Sequence, residues 1–100
     1  MENITVTEVK SRLDAGEKLN LIDVREPDEN ADFNIGGILL PMQMINTMQV
    51  EAIEDLKDQE VILYCRSGNR SMQAALVLEM LGFSNVKNLA GGMVEWKNMS

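Results

Sequence analysis

The run Val61-Ile62-Leu63-Tyr64 is apolar at every position. A strand covered on one face alternates apolar with polar residues, so an unbroken run marks a strand covered on both faces. That requires helices on either side of a mainly parallel sheet, and the rest of the chain reads accordingly. Thr5 and Glu8 have the spacing of a capping box, opening a helix that buries Val9 and Leu13 and ends near Gly16. Residues 19–24 (LNLIDV) read as a strand, residues 27–32 as one short helical turn, and Gly36-Gly37 as a bend. Residues 38–40 form a second strand, stopped by Pro41. A helix is expected over about Thr47 to Leu56, with Val50, Ile53 and Leu56 inward. Another follows from Ser71 to Leu81 with Gly82 as its natural stop; only Ser71, Gln73 and Glu79 in it are polar, which predicts a largely buried helix. Residues 86–89 form a last short strand, and Gly91-Gly92 opens a terminal helix carrying Val94 and Trp96. The spacing between strands suits right-handed crossovers. The expected fold is an α/β sandwich with helices on both faces of a mainly parallel sheet, in one domain over residues 1–100.

Ligands of such sheets bind outside the carboxyl ends of the strands. Those ends here are Asp23-Val24-Arg25, Pro41-Met42, Cys65 and Ala90-Gly91-Gly92. Cys65 is the chain's one cysteine, and histidine is absent. These two facts exclude Cys–His and Ser–His pairs, His-bearing zinc sites, CxxC redox pairs and thiolate clusters. No metal or other cofactor is implied. A lone cysteine predicts a reducing compartment, with the cytoplasm as the default. The net charge of −7 argues against nucleic acid and against an anionic membrane surface. The first ten residues, MENITVTEVK, lack the apolar core of a signal peptide, and no run is long enough to span a bilayer.

Cys65 opens the stretch CRSGNRS, which holds two of the chain's nine basic residues and none of its 16 acids. A strand that ends on a cysteine and turns tightly into a helix can aim loop amides at the sulfur, and the helix start adds its own free N–H groups. Such surroundings lower a thiol pKa from ~8.5 toward ~3.5–7.5. Gly68 supplies backbone freedom, Asn69 tolerates left-handed geometry, Arg70 braces the loop or adds charge, and Arg66 points outward. Cys65 to Arg70 is a Cys-x4-Arg ring, one residue shorter than the Cys-x5-Arg ring with which cysteine phosphatases surround a tetrahedral oxyanion. A smaller ring suits a smaller guest, such as one extra sulfur atom on the cysteine. No general base is needed, because the thiolate itself attacks a sulfur donor. The bland alternative is a buried, inert core cysteine, against which the polarity of Arg66 to Arg70 argues.

These residues resemble the rhodanese-type sulfurtransferases. CRSGNRS between VILY and a helix is similar to that family's active-site loop. Leu21 to Glu29 (LIDVREPDE) resembles its DVR segment, Asn34 to Pro41 (NIGGILLP) its HIxGAxxIP segment, and Leu89 to Trp96 (LAGGMVEW) its LxGGxxxW segment. The four fall in the family's order and cover essentially the whole chain. The resemblance implies a rhodanese-like three-layer sandwich with a five-stranded, mainly parallel sheet. It implies that Cys65 carries sulfane sulfur as a persulfide, with Arg66, Ser67, Gly68, Asn69, Arg70 and Ser71 as its cradle. Asp23, Arg25 and Glu29 would support the loop, Arg25 pairing with Glu29, while Gly91 and Gly92 allow close approach to the sheet edge and Trp96 lies in the core. The chain departs from the pattern at Phe33-Asn34, where the family has Gly-His, and at Asn30, where it has an aromatic residue. Met42, Met44 and Met48 read as core fillers rather than a substrate rim.

The implied reaction takes sulfur from thiosulfate or a protein persulfide and passes it to cyanide, a thiol or a carrier protein. A monomer is expected. Two other readings compete: a non-catalytic or redox-sensing binding module of the same fold, and a phosphatase or arsenate reductase on a related one.

Overall fold

Strand β4 (Glu60–Tyr64) lies in the middle of a five-stranded sheet of order β1-β5-β4-β2-β3. Its companions are β1 (Glu2–Ile4), β2 (Leu21–Asp23), β3 (Ile38–Leu39) and β5 (Asn85–Leu89), and every pairing is parallel. The structure, a computed structural model, describes residues 1–99.

The apolar run of β4 is divided between two cores. Val61, Leu63 and Cys65 face one cluster, Ile62 and Tyr64 the other. On the first face, Ile45 of α3 (Met42–Asn46) and Ala74, Ala75 and Leu78 of α4 (Asn69–Met80) close the layer. On the second, Val6 and Val9 of α1 (Val6–Asp14) and Met93 and Trp96 of α5 (Gly92–Asn98) do so. Side chains of this size each contribute ~1.5–3 kcal/mol on full burial, so an interrupted run would cost one of the two layers. The short helix α2 (Pro27–Asp32) buries no residue and sits just beyond β2. The expected three-layer sandwich is the fold found.

Several local expectations need correction. The segment from Thr47 to Leu56 is not one helix. α3 begins directly after Pro41, the Thr47 hydroxyl bonds back to the Gln43 and Met44 carbonyls, and Met48 adopts φ 62°. Only then does a 3₁₀ turn run over Glu51–Leu56. Helix α4 starts two residues earlier than expected and is not largely buried: Met72, Leu76 and Met80 form an exposed stripe. Met42 packs partly against the core, but Met44 and Met48 are exposed and fill nothing. Trp96 is half-buried, with Lys10 4.9 Å from its ring centroid.

The amino end of β4 carries an ionic clamp. Glu60 accepts from both terminal guanidinium nitrogens of Arg12 in α1 (3.0 and 2.6 Å) and from Lys87 of β5 (2.6 Å). The Arg12 hydrogen bonds, reinforced by Lys87, hold the Glu60 carboxyl down to about 2 despite its partial burial. A carboxyl depressed in the folded state stabilises above its unfolded pKa, and that contribution is lost as pH falls through the folded one. The clamp therefore acts fully above about pH 4.5 and fades toward pH 2. At 1.36 kcal/mol per unit its full effect is on the order of 3 kcal/mol. Urea unfolding should show Glu60→Gln less stable than wild type at pH 7, with the gap closing as pH drops through this window. A constant gap at all pH values would remove the clamp's charge from the explanation.

Candidate active site

The register of the sheet brings three carboxyl ends together. Asp23 is paired with Tyr64, and Leu63 with Asn88, so β2 and β5 flank the point where β4 gives way to Cys65. Residues 66–68 then turn into α4, with Gly68 as its N-cap at φ 98°. A left-handed N-cap without strain requires glycine.

The turn points its donors at sulfur. Cys65 Sγ accepts from the Gly68 amide at 3.1 Å, the Ser71 amide at 3.4 Å and the Ser71 hydroxyl at 3.3 Å. The Ser67 amide also favours its anionic form. Burial alone pushes the thiol up; the Ser71 hydroxyl and the Ser71, Gly68 and Ser67 amides together outweigh it and hold the thiol below its ordinary value. The carbonyls of the turn face the other way. Met93 N donates to Cys65 O and Val94 N to Arg66 O, each at 2.9 Å, so the start of α5 holds the ring from behind. With the carbonyls drawn outward, the amides are left to face inward.

The seven residues of the stretch thus divide. Cys65, Gly68 and Ser71 are buried; Arg66, Ser67 and Asn69 are exposed. Arg66 points outward, as expected, beside a cleft of about 440 Å³ shared with Arg25, Glu29 and Val94. Arg70 is half-buried and makes a two-bond ion pair with Glu29, both contacts at 3.1 Å. That pair holds the Glu29 carboxyl below its usual range.

Arg25 does not pair with Glu29. Its backbone amide (3.0 Å) and Nε (2.9 Å) both donate to Asp23 Oδ1, and its Nη2 donates to Asp23 Oδ2 at 2.8 Å and to the Phe33 carbonyl. A helix brings side chains four residues apart together when both lie on it. Here α2 begins after Arg25, with Glu26 as N-cap, and Glu29 accepts from the Glu26 amide at 3.0 Å. Asp23 is fully buried and also accepts from Asn30 Nδ2 at 2.8 Å, so the site where the family carries an aromatic serves this buried pair. Arg25 in turn lies over the Tyr64 ring, 5.8 Å from its centroid. Asn34 donates to the Asn30 carbonyl and accepts from the Gly36 amide, each at 2.9 Å, and so braces this bend.

Asn88, which the sequence reading passed over, is buried beside the ring. It donates to Gly68 O at 3.2 Å and to Asn3 Oδ1 at 3.1 Å, while its carbonyl accepts from Ser71 Oγ. The signal was there: Asn88 stands two residues after buried Val86, so on the same strand face, at the carboxyl end of β5. Among the described residues, no group of three or more His, Cys, Asp or Glu is placed to hold a metal ion, and no helix is long and apolar enough to cross a membrane.

The site is thus a buried cysteine ringed by amides at the end of the central parallel strand of an α/β sandwich. Residues 5–99 match the family model of the Rhodanese-like domain, and the chain belongs to that family. It is 40% identical over 89 residues to a sulfurtransferase of Allochromatium vinosum, covering 88% of this chain and 80% of that one. It is 41% identical over 95 residues to a protein of Mycobacterium tuberculosis named "Probable adenylyltransferase/sulfurtransferase MoeZ", covering 93% of this chain but only 24% of that much longer one. The solved structure of a rhodanese-like domain protein from Staphylococcus aureus superposes with a TM-score of 0.85 at 30% identity, over 96% of this chain and 91% of the other.

Proposed function

We propose that this protein is a sulfurtransferase that moves one sulfane sulfur through a persulfide on Cys65. The observation that carries this reading is the ring of donors around Sγ, which supports an anionic sulfur; the Cys-x4-Arg loop length argues against a tetrahedral oxyanion as its guest. The Cys65 thiolate attacks the outer sulfur of thiosulfate; an S–S bond forms on Sγ, the bond to the sulfonate breaks, and sulfite leaves with the electron pair. The anionic outer sulfur takes up the inward amides. A thiophilic acceptor then attacks it: cyanide leaves as thiocyanate, or a thiol or carrier protein takes the sulfur, and the Cys65 thiolate returns. The domain works as a monomer in a reducing compartment such as the cytoplasm. A phosphatase reading fits less well, because the arginine that would meet a phosphate is held by Glu29.

Reduced protein mixed with thiosulfate should gain the mass of one sulfur atom, and cyanide should remove it with release of thiocyanate. No gain from thiosulfate or from a protein persulfide would leave the binding-module reading in its place.

The Glu29–Arg70 pair gives a separate expectation. Arg70→Ala leaves the Glu29 carboxylate without its cation at the edge of the ring, where it repels an anionic donor. Both side chains are about a third exposed, so solvent screens the effect. The KM for thiosulfate should rise roughly 3- to 10-fold, with kcat and the far-UV spectrum little changed. Steady-state kinetics at two ionic strengths checks this, since added salt should narrow the difference.

A further inference from the structure

Within the ring, one hydroxyl has two acceptors and a single proton. Ser71 Oγ lies 3.3 Å from Cys65 Sγ and within hydrogen-bond reach of Asn88 Oδ1. Ser71 is fully buried and Asn88 is 2% exposed, so bulk water does not supply a third partner. The orientation of the Asn88 amide follows from its surroundings. The Gly68 carbonyl can only accept, and it faces the same side-chain group as Asn3 Oδ1; that group must be the NH2, and the carbonyl must face Ser71.

We propose that Asn88 is a positioning residue of the sulfur site: its side-chain carbonyl competes with Cys65 Sγ for the Ser71 hydroxyl proton and takes it whenever Sγ is uncharged. In the thiol state the S–H donates to Ser71 Oγ, and the hydroxyl donates onward to Asn88. When the thiol proton leaves for solvent, the hydroxyl turns toward the anionic sulfur. Asn88 Oδ1 then faces oxygen lone pairs with no proton between them, which penalises the bare thiolate. Loading with sulfur moves the charge to the outer atom. Sγ is neutral again, the hydroxyl returns to Asn88, and the penalty is relieved. Asn88 thus biases the site from free thiolate toward the loaded state. The loading half of this inference rests on the sulfur-transfer reading; the ionisation half does not.

Other charges near Cys65 come from every side. Arg70 of α4 acts on the sulfur by its charge and is paired with Glu29 of α2. The Asp23–Arg25 pair lies at the end of β2, Arg66 on the turn, and Glu95 in the first turn of α5. The facing residues of β1 and β5 are the uncharged Asn3 and Asn88. None of these charges changes in the variants below.

The test is the pH dependence of Cys65 alkylation by iodoacetamide, followed by intact mass in wild type, Asn88→Leu, Ser71→Ala and the double variant. Asn88→Leu should lower the apparent thiol pKa by about half a unit to one unit, and Ser71→Ala should raise it by a similar amount. The double variant should match Ser71→Ala alone, because Asn88 acts through the hydroxyl. A merely structural Asn88 would loosen the Gly68 turn on removal and raise the thiol pKa. That rise, or an equal Asn88→Leu effect with and without Ser71, would overturn the proposal. A measurement on the unaltered Asn88 covers the case in which the leucine variant does not fold. The carbon shift of its side-chain carbonyl should follow Cys65 titration in wild type and lose that dependence in Ser71→Ala; a shift indifferent to Ser71 would also overturn it. Alkylation needs no sulfur donor, so failed sulfur transfer with the expected alkylation pattern would count against the transfer reading alone.

Discussion

Cys65→Ser is expected to lose sulfur transfer entirely while keeping its fold. The serine oxygen has nearly the same place in the ring and can accept from the same three donors at Gly68 and Ser71. Stability should therefore change by no more than about 1–2 kcal/mol. The chemistry has no such substitute. A hydroxyl is not ionised near neutral pH by these N–H and O–H donors, and an oxygen–sulfur adduct would not return sulfur to an acceptor as a persulfide does. With one cysteine in the chain, no second thiol can take over. The rate of thiocyanate formation should fall on the order of 10⁴-fold or more, to the background without protein, and no sulfur should be gained in the intact mass. The variant also divides the competing readings. Partner binding unrelated to sulfur would survive it unchanged, whereas a sulfur acceptor that recognises the persulfide would no longer be retained. Residual transfer above background would refute the mechanism, because no other residue in the ring can hold sulfane sulfur.

The parts of this site that were legible in the sequence are those set by local rules. Val61 to Tyr64 announced a doubly covered strand because both of its faces are filled. Thr5 announced the start of α1, and its hydroxyl does accept from the Glu8 amide at 3.1 Å. Strand β1 was not legible, since three residues with only Ile4 buried offer no period to read. Val50, Ile53 and Leu56 recur every third residue, a spacing that suits a 3₁₀ turn as well as an α-helix, and nothing in the letters shows that Met48 turns left-handed. The arginines show the same division. The strand ends and the loop motif placed Arg25 and Arg70 near the sulfur, but which of them meets Glu29 depends on where α2 begins and how β2 meets β4. The Arg25–Asp23 pair is local, two residues apart at the end of β2, whereas Arg70 to Glu29 is a tertiary fact. So is Asn88, which reaches Ser71 only because β5 lies beside β4.

Gly92→Ala is expected to damage the ring from a position outside it. Gly92 has φ 54°, and a Cβ there would lie 2.4 Å from the Cys65 carbonyl oxygen and 2.7 Å from that of Arg66. Neither contact is tolerable, and both partners are backbone, so relief requires α5 to move away from the turn. The same two carbonyls accept the Met93 and Val94 amides. Moving α5 therefore breaks the bonds that turn the carbonyls outward, and the amides of Ser67 and Gly68 lose their aim at sulfur. Gly82→Ala is the control. Gly82 has φ 99°, but nothing lies within 4 Å of its added Cβ, so it reports the left-handed penalty alone. That variant should lose ~1–2 kcal/mol of stability and keep its transfer rate. Gly92→Ala should lose roughly 3–5 kcal/mol in urea unfolding. At temperatures where it remains folded, its kcat/KM should be down by about 100-fold, and its Cys65 alkylation should shift to higher pH as the donors disengage. The shift in alkylation carries the argument, because a protein that is merely less stable keeps its thiol pKa in the molecules that remain folded. Equal stability losses in the two variants, with an unshifted thiol in Gly92→Ala, would mean that the turn holds its amides inward without support from α5.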